Sequence, residues 1–131
     1  EVLDFGPAND DRVDYPDFAD KVARAVAAGK ADRGVLICGT GIGIAMTADK
    51  VPGIRATPVQ TVQFAELARE HNNAQVVAVG GRQHSKEEAL EIIKVFLATP
   101  WTNEERHARR IGQLAEYEQT GDIAGKQIDA A

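Results

Sequence analysis

The hydrophobic and polar positions of this chain follow two alternating periods. Short apolar runs rich in β-branched residues are bounded by glycine, proline or polar residues, as is typical of buried strands. Between them, apolar residues recur three and four positions apart, which predicts amphipathic helices. The predicted strands are EVLDF at 1–5, GVLIC at 34–38, GIRAT at 53–57 and QVVAVG at 75–80. This βαβα order indicates a parallel sheet with helices on both faces, an α/β/α sandwich of three layers.

Capping signals predict where two of the helices begin. Ser85 followed by Glu88 has the spacing of a capping box, in which two helix-end amides are satisfied reciprocally. Thr102 and Glu105 repeat that spacing before a last helix that we expect to end near Tyr117. The sequence therefore predicts a helix after each of these two caps.

The pattern indicates one domain over residues 1–120. The segment 121–131, GDIAGKQIDAA, has few apolar side chains to bury, which predicts a frayed C-terminal tail. Because the first predicted strand stands at the very start of the chain, we expect that a strand and a helix of the fold are absent before Glu1.

Composition then excludes several classes of protein. With 131 residues, of which 44% are hydrophobic and 27% charged, the chain has the profile of a globular domain. A net charge of −5 without a basic tail argues against a nucleic-acid partner, because phosphate backbones are held by clustered Lys and Arg. One cysteine cannot form an internal disulfide, and no apolar run approaches the roughly 18 residues of a membrane span. We therefore predict a cytoplasmic protein with no membrane partner.

The stretch GVLICGTGIGIAM, at 34–46, joins a predicted strand to a helix through three glycines at alternate positions. A turn of this kind directs backbone N–H groups at an anion near the positive end of the helix. It lacks the glycine spacing of the dinucleotide fingerprint and the Lys of the Walker loop. Ile44 stands where a cysteine phosphatase needs its phosphate-binding Arg. The remaining prediction is a small anion site beside Cys38.

Cys38 and Thr40 each have two interpretations. A lone cysteine at a strand end is commonly a small buried apolar residue. A helix N-terminus with aligned amides also favours the thiolate, which serves as a base or a nucleophile. Likewise, the Thr40 hydroxyl either satisfies the turn or moves a proton to a bound oxygen.

A second cluster follows the predicted third helix. His71 and Asn72 stand where that helix ends, so they are either part of a helix C-cap or members of a site. Arg82 follows the glycines that close the next strand. Ligands of open α/β sheets bind outside the carboxyl ends of the strands. We therefore expect Cys38, Arg82 and the His71 turn to converge at that edge.

The third cluster is ERHARR, at 105–110. Arg106, Arg109 and Arg110 share one side of the predicted last helix, as either a solvated face or a phosphate site. The chain's histidines show neither ligand spacing nor a neighbouring pair of carboxylates, so no metal is predicted.

Four segments together resemble the ribose-5-phosphate isomerase B and galactose-6-phosphate isomerase family. They are DYPDFA, GVLICGTGIGIAMTADKVPGIRA, AREHNNAQVVAVGGR and ERHARRI, in the family's order over about residues 1–112. The resemblance implies a Rossmann-like fold, no cofactor, and a homodimer or dimer of dimers whose sites are shared between subunits. It implies interconversion of an aldose and a ketose phosphate through a cis-enediol, with ribose 5-phosphate as the expected substrate.

The resemblance also implies a role for each site residue. Cys38 is the base that moves a proton between C1 and C2, Thr40 handles the hydroxyl proton, and His71 opens the sugar ring. The loop amides hold the enediolate oxygen, a tyrosine flanks the sugar, an asparagine binds a hydroxyl, and arginines with a histidine grip the phosphate. These substrate contacts are expected from Tyr15, Gly39, Gly41, Ile42, Gly43, Asn72, Arg82, Arg106, His107 and Arg110.

Departures from the family pattern leave alternatives open. The Asp-His-Ala-Gly motif of the family's first strand is not in the chain, and PVQTVQF at 58–64 replaces an Asp and a Ser-Ala pair. Four-carbon and six-carbon sugar phosphates therefore remain alternative substrates. The alternatives from other classes are a non-catalytic sugar-phosphate-binding protein and a redox-sensing thiol protein, although a sensor would need a second cysteine.

Overall fold

The computed structural model describes residues 1–124, in which three parallel strands alternate with five helices. The strands lie in the order β1-β3-β2, with Gly34 level with Val76 and Cys38 level with Gly80. This confirms the predicted Rossmann-like α/β fold. The elements are α1 (Tyr15–Ala27), β1 (Gly34–Cys38), α2 (Ile42–Ala48), β2 (Ala56–Pro58), α3 (Val62–Asn72), β3 (Val76–Gly80), α4 (Lys86–Ala98) and α5 (Glu105–Thr120).

The central strand β3 separates two apolar cores. All five of its residues are buried, because a central parallel strand is covered on both faces. Val76 and Ala78 belong to one core, which also contains buried residues of α1 and α2. Val77 and Val79 belong to the other, with residues of α3 and α4. The alternation of side chains along one strand thus joins the two helical layers.

The predicted first strand is wrong. Residues 1–14 form no strand and are exposed, with Val2 88% accessible. A strand is stable only where its backbone groups find partners on a neighbouring strand. Within the described residues β1 pairs with β3 alone, and EVLDF does not reach its other edge. The GIRAT strand is also shorter than predicted, since it begins at Ala56 after a turn with Gly53 at φ +87°.

One of the two predicted capping boxes is present. The Ser85 side chain accepts a hydrogen bond from Glu88 N–H, and the Glu88 carboxylate accepts one from Ser85 N–H. The Thr102 box is wrong, because the Thr102 hydroxyl donates to the Glu70 carbonyl and α5 starts after Glu104 without a side-chain cap.

The last helix is longer than predicted. It extends one turn past Tyr117, to Thr120, and Gly121 ends it in the left-handed conformation. Residues 125–131 of the expected tail lie outside the described residues.

Candidate active site

A tight glycine turn holds Cys38 at the carboxyl end of β1. Gly41 has φ +82°, and a Cβ there would lie 3.0 Å from the Val79 carbonyl carbon, so only glycine fits. The turn brings the Gly41 N–H to the Cys38 sulfur, at 3.2 Å between N and Sγ. A backbone donor at this distance stabilises negative charge on sulfur. The half-buried thiol is thus in contact with the Gly41 amide and partly accessible from the surface.

Thr40 and Tyr15 lie beside this turn. The exposed Thr40 hydroxyl accepts from the Ile42 N–H at 3.2 Å, so it satisfies the turn while its own proton remains available to a ligand. Tyr15 begins α1, and a Cβ on Gly43 would approach its hydroxyl to 2.5 Å. The missing side chain at Gly43 therefore makes room for the phenol.

Arg82 completes the group at this edge. The Gly81 N–H donates to the Cys38 carbonyl at 2.8 Å, and the Arg82 N–H donates to the Gly39 carbonyl at 3.2 Å. The Arg82 side chain covers Gly39, where a Cβ would lie 3.6 Å from its Cδ and Nη1. A thiol, a hydroxyl, a phenol and a guanidinium thus surround the glycine turn.

His71 and His107 form a second group. Their rings stack with centroids 4.2 Å apart and planes inclined by 17°. His107 is buried, and its Nε2 has no hydrogen-bond partner among residues 1–124. Burial, together with the charges of His71 and Arg106, lowers the pKa of His107 despite the opposing effect of Glu104. His107 is therefore less basic than an ordinary histidine, and its Nε2, 3.9 Å from the Glu104 carboxylate, makes no hydrogen bond within the described chain.

The two histidines line a cavity of about 380 Å³. Its lining consists of Arg55, His71, Asn72, His107, Arg110, Ile111 and Leu114. Among the described residues neither Arg55 nor Arg110 has a carboxylate within ion-pair distance, although the charge of Glu118 acts on Arg55 from farther away. Such a lining suits a phosphate.

The other two arginines of the cluster on α5 are paired. Arg106 lies 3.1 Å from the Glu104 carboxylate and does not line the cavity. Arg109 lies 2.6 Å from Glu105. Of the three arginines in the predicted phosphate cluster, only Arg110 faces the cavity.

The predicted convergence of Cys38 with the His71 turn is wrong. Cys38 is level with Gly80, at the carboxyl end of β3, whereas Asn72 precedes Val76, at its amino end. Four residues of strand separate these levels, which corresponds to about 13 Å. A helix between two parallel strands runs back across the sheet, so its last residues return to the amino edge. One chain therefore holds the two groups at opposite edges of the sheet.

Two arginines that sequence reasoning did not single out act on the second group. Arg55 donates to the carbonyls of Asn72 and Asn73, each at 3.0 Å, and lines the cavity. Arg69 is 1% exposed and holds the end of α3 from the interior. The available signal was their position, because Arg55 stands inside a predicted strand, where a charged side chain is unexpected, and Arg69 stands two residues before His71.

A larger groove of about 910 Å³ adjoins the cavity and shares Arg55, Asn72 and Leu114 with it. Its lining includes the exposed apolar side chains of Phe64 and Tyr117. Within residues 1–124 no three His, Cys, Asp or Glu side chains are grouped so that they could hold a metal ion. In the same part of the chain, every helix is too short or too polar to cross a membrane.

Comparison with known proteins identifies relatives over most of the chain. Residues 1–114 match the family described as Ribose/Galactose Isomerase. Ribose-5-phosphate isomerase B of Mycobacterium tuberculosis is 46% identical over 121 residues, which cover 92% of this chain and 75% of that protein.

Two solved structures also match. Clostridium thermocellum ribose-5-phosphate isomerase B has a TM-score of 0.89 and 45% identity, covering 93% of this chain and 82% of that one. The enzyme of Mycoplasma genitalium, with bound ribulose-5-phosphate, has a TM-score of 0.85 and 41% identity, covering 91% and 79%.

Proposed function

Because the chain belongs to the ribose/galactose isomerase family, we propose that it interconverts ribose 5-phosphate and ribulose 5-phosphate. The observation that carries the proposal is the Cys38 thiol, held against the Gly41 amide at the mouth of a glycine turn. Relatives at over 40% identity are named for this reaction, and one was solved with ribulose-5-phosphate bound. A catalytic free thiol suits a reducing compartment, so we place the reaction in the cytoplasm.

In the proposed mechanism the thiolate of Cys38 is the general base. It removes the proton from C2 of the open-chain aldose, and the electron pair forms the C1–C2 double bond while the C1 oxygen becomes the enediolate oxygen. The amides of the glycine turn stabilise that charge. The Thr40 hydroxyl gives a proton to the C1 oxygen and takes the proton of the C2 hydroxyl. Return of the proton from Cys38 to C1 leaves the ketose, so no atom or electron is gained or lost.

The second group supplies the remaining roles. His71 transfers the proton that opens the furanose ring, and Asn72 binds a sugar hydroxyl. Arg110 and the Nε2 of His107, which makes no hydrogen bond within the described chain, bind the phosphate in the cavity, where charge-assisted hydrogen bonds are strongest. Arg106 does not line the cavity and contributes to phosphate binding only through its charge.

Since one chain holds the two groups at opposite edges, we propose that two copies build each site. The glycine turn of one copy then faces the His71 cavity of the other. Apolar surface is available on both sides of this contact. Ile42 and Met46 are exposed on α2, and Phe64, Leu114 and Tyr117 are exposed along the larger groove. A two-fold dimer repeats such a contact twice and completes both sites.

The experiment is turnover of ribose 5-phosphate by wild type, Cys38→Ala and the surface control Lys21→Ala. Loss of the base should lower kcat by at least about 10²-fold. Unchanged melting temperatures would show that the fold is intact. Near-normal turnover by Cys38→Ala would place the base elsewhere. A wild-type protein that binds sugar phosphates without isomerising any of them would instead be a binding protein.

The same assay determines how many carbons the preferred sugar phosphate has. Wild-type kcat/KM should be highest for ribose 5-phosphate among aldose phosphates of four, five and six carbons. A preference of about tenfold or more for another length, about 1.4 kcal/mol, would overturn the five-carbon assignment and leave the isomerase chemistry in place.

A further inference from the structure

Arg69 is a buried arginine without an acidic partner. Its side chain is 1% exposed in the last turn of α3, and no carboxylate of residues 1–124 pairs with it. Its Cζ lies over the Phe96 ring, 5.8 Å from the ring centroid. A buried charge is tolerated only when its donors are hydrogen-bonded. The acceptors that it uses therefore indicate what the residue does.

Those acceptors are oxygens from three places in the chain. Nη1 donates to the Ala74 carbonyl at 2.7 Å and to Asn73 Oδ1 at 2.9 Å, while Nε donates to the Thr99 carbonyl at 3.1 Å. Asn73 caps α3 in the left-handed conformation, Ala74 leads into β3, and Thr99 ends α4. One guanidinium thus joins the end of α3 to the start of the connection between α4 and α5.

That connection determines where α5 begins. It is fastened a second time by the Thr102 hydroxyl, which donates to the Glu70 carbonyl at 2.9 Å. Helix α5 starts at Glu105, and its third residue, His107, stacks on His71. The spacing between the two rings therefore depends on how the end of α3 and the chain after α4 are held together.

The geometry points to Arg69 as a positioning residue for the His71 half of the active site. This inference rests on the proposed function and deepens it, because Arg69 touches no substrate and acts through the backbone on either side of the histidine pair. Arg55 grips the same turn from the cavity side, through the carbonyls of Asn72 and Asn73. A lysine could not replace Arg69 fully, since a single Nζ cannot reach acceptors that a planar fork serves from two nitrogens.

Histidine NMR tests the inference without reference to turnover. The chain has three histidines, so their ring signals can be followed singly during a pH titration. In the wild type His107 should titrate below its ordinary pKa, because it is buried against His71. The charged groups around it are His71, Arg106, Glu104 and Arg110. In Arg69→Met the stack should loosen, and the pKa of His107 should rise towards the ordinary value.

Activity supplies the second readout. Misplacement of His71 should lower kcat/KM for ribose 5-phosphate by about 10- to 100-fold in Arg69→Met, and Arg69→Lys should restore only part of the loss. The control Arg24→Met removes an exposed arginine of α1 and should change neither readout. If the wild type has no isomerase activity, the proposed function fails, while the histidine titration still decides the role of Arg69.

An unchanged His107 titration in a folded Arg69→Met, with kcat/KM within about twofold of wild type, would overturn the inference. If that variant does not fold, Arg69→Lys and Asn73→Gly replace it. Arg69→Lys keeps the positive charge, and Asn73→Gly keeps the left-handed turn but removes the Asn73 oxygen that accepts from Arg69. Both should shift His107 in the same direction by a smaller amount. No shift in either would equally overturn the inference.

Discussion

The separation of Cys38 from His71 within one chain leads to a subunit-complementation prediction. Cys38→Ala and His71→Ala should each be nearly inactive as pure homodimers, because every site then lacks one residue. In a dimer containing one chain of each kind, one site combines the two changed residues and the other combines the two native ones. Mixed dimers should therefore recover activity that neither variant has alone.

The size of the recovery follows from the geometry. Random exchange of an equal mixture makes about half of the dimers mixed, and one of their two sites is intact, so activity should return to about one quarter of wild type. The Cys38 and His71 levels lie about 13 Å apart along the strand direction within one chain, and the proposed site therefore takes the two groups from different chains.

The assay is turnover of ribose 5-phosphate after the two variants are unfolded together and refolded, with a size tag on one chain to count mixed dimers. An equal mixture of wild type with Cys38→Ala, treated identically, reports losses during refolding. Mixed dimers that form in the expected number and remain inactive would refute a site shared between chains.

Two further predictions concern single side chains. Gly43→Ala should place a methyl group against the Tyr15 hydroxyl and lower kcat/KM by about tenfold. The control Gly112→Ala meets open space in α5, so it should keep activity and add up to about 1 kcal/mol of stability. Equal activity of the two variants would contradict the role of Tyr15. The pKa of His107 in the folded chain is lowered by burial first, and then by the charges of His71 and Arg106. The unfolded chain therefore binds more protons than the folded one as the pH falls below about 6.5, and the free energy of unfolding should decrease there. In urea titrations His107→Leu should lessen this pH dependence, and an unchanged slope would contradict the assignment.

Local signals predicted the parts of the fold that depend on neighbouring residues. The capping box of Ser85 and the turn that requires Gly41 are each determined within a few positions, and both are present. Two of the wrong predictions concern features that residues distant in the sequence determine. EVLDF has strand composition but pairs with no strand, and Thr102 bonds to a carbonyl 32 positions earlier instead of capping its own helix.

The candidate site was likewise predicted only in part. The residues around Cys38 are neighbours in sequence, so the glycine spacing was enough to place them together. The position of His71 at the opposite edge follows from the predicted order of elements, because a helix between two parallel strands ends at the amino edge. The expectation of convergence rested on the motifs and did not use that order. The role of Arg69 could not be predicted for another reason. Its partners Phe96 and Thr99 lie about 30 positions later in the sequence and come close to it only because α3 and α4 pack together.

The sheet described above ends on one side at β1, whose five residues pair only with β3 within the described chain. The outer side of that strand therefore carries a row of amide and carbonyl groups in the extended conformation, next to Ile37, which is 59% exposed. Unpaired strand edges can add a further strand. The outer edge of β1 is therefore the place in the described fold where one more strand would find backbone donors and acceptors, with Ile37 available to pack against its side chains.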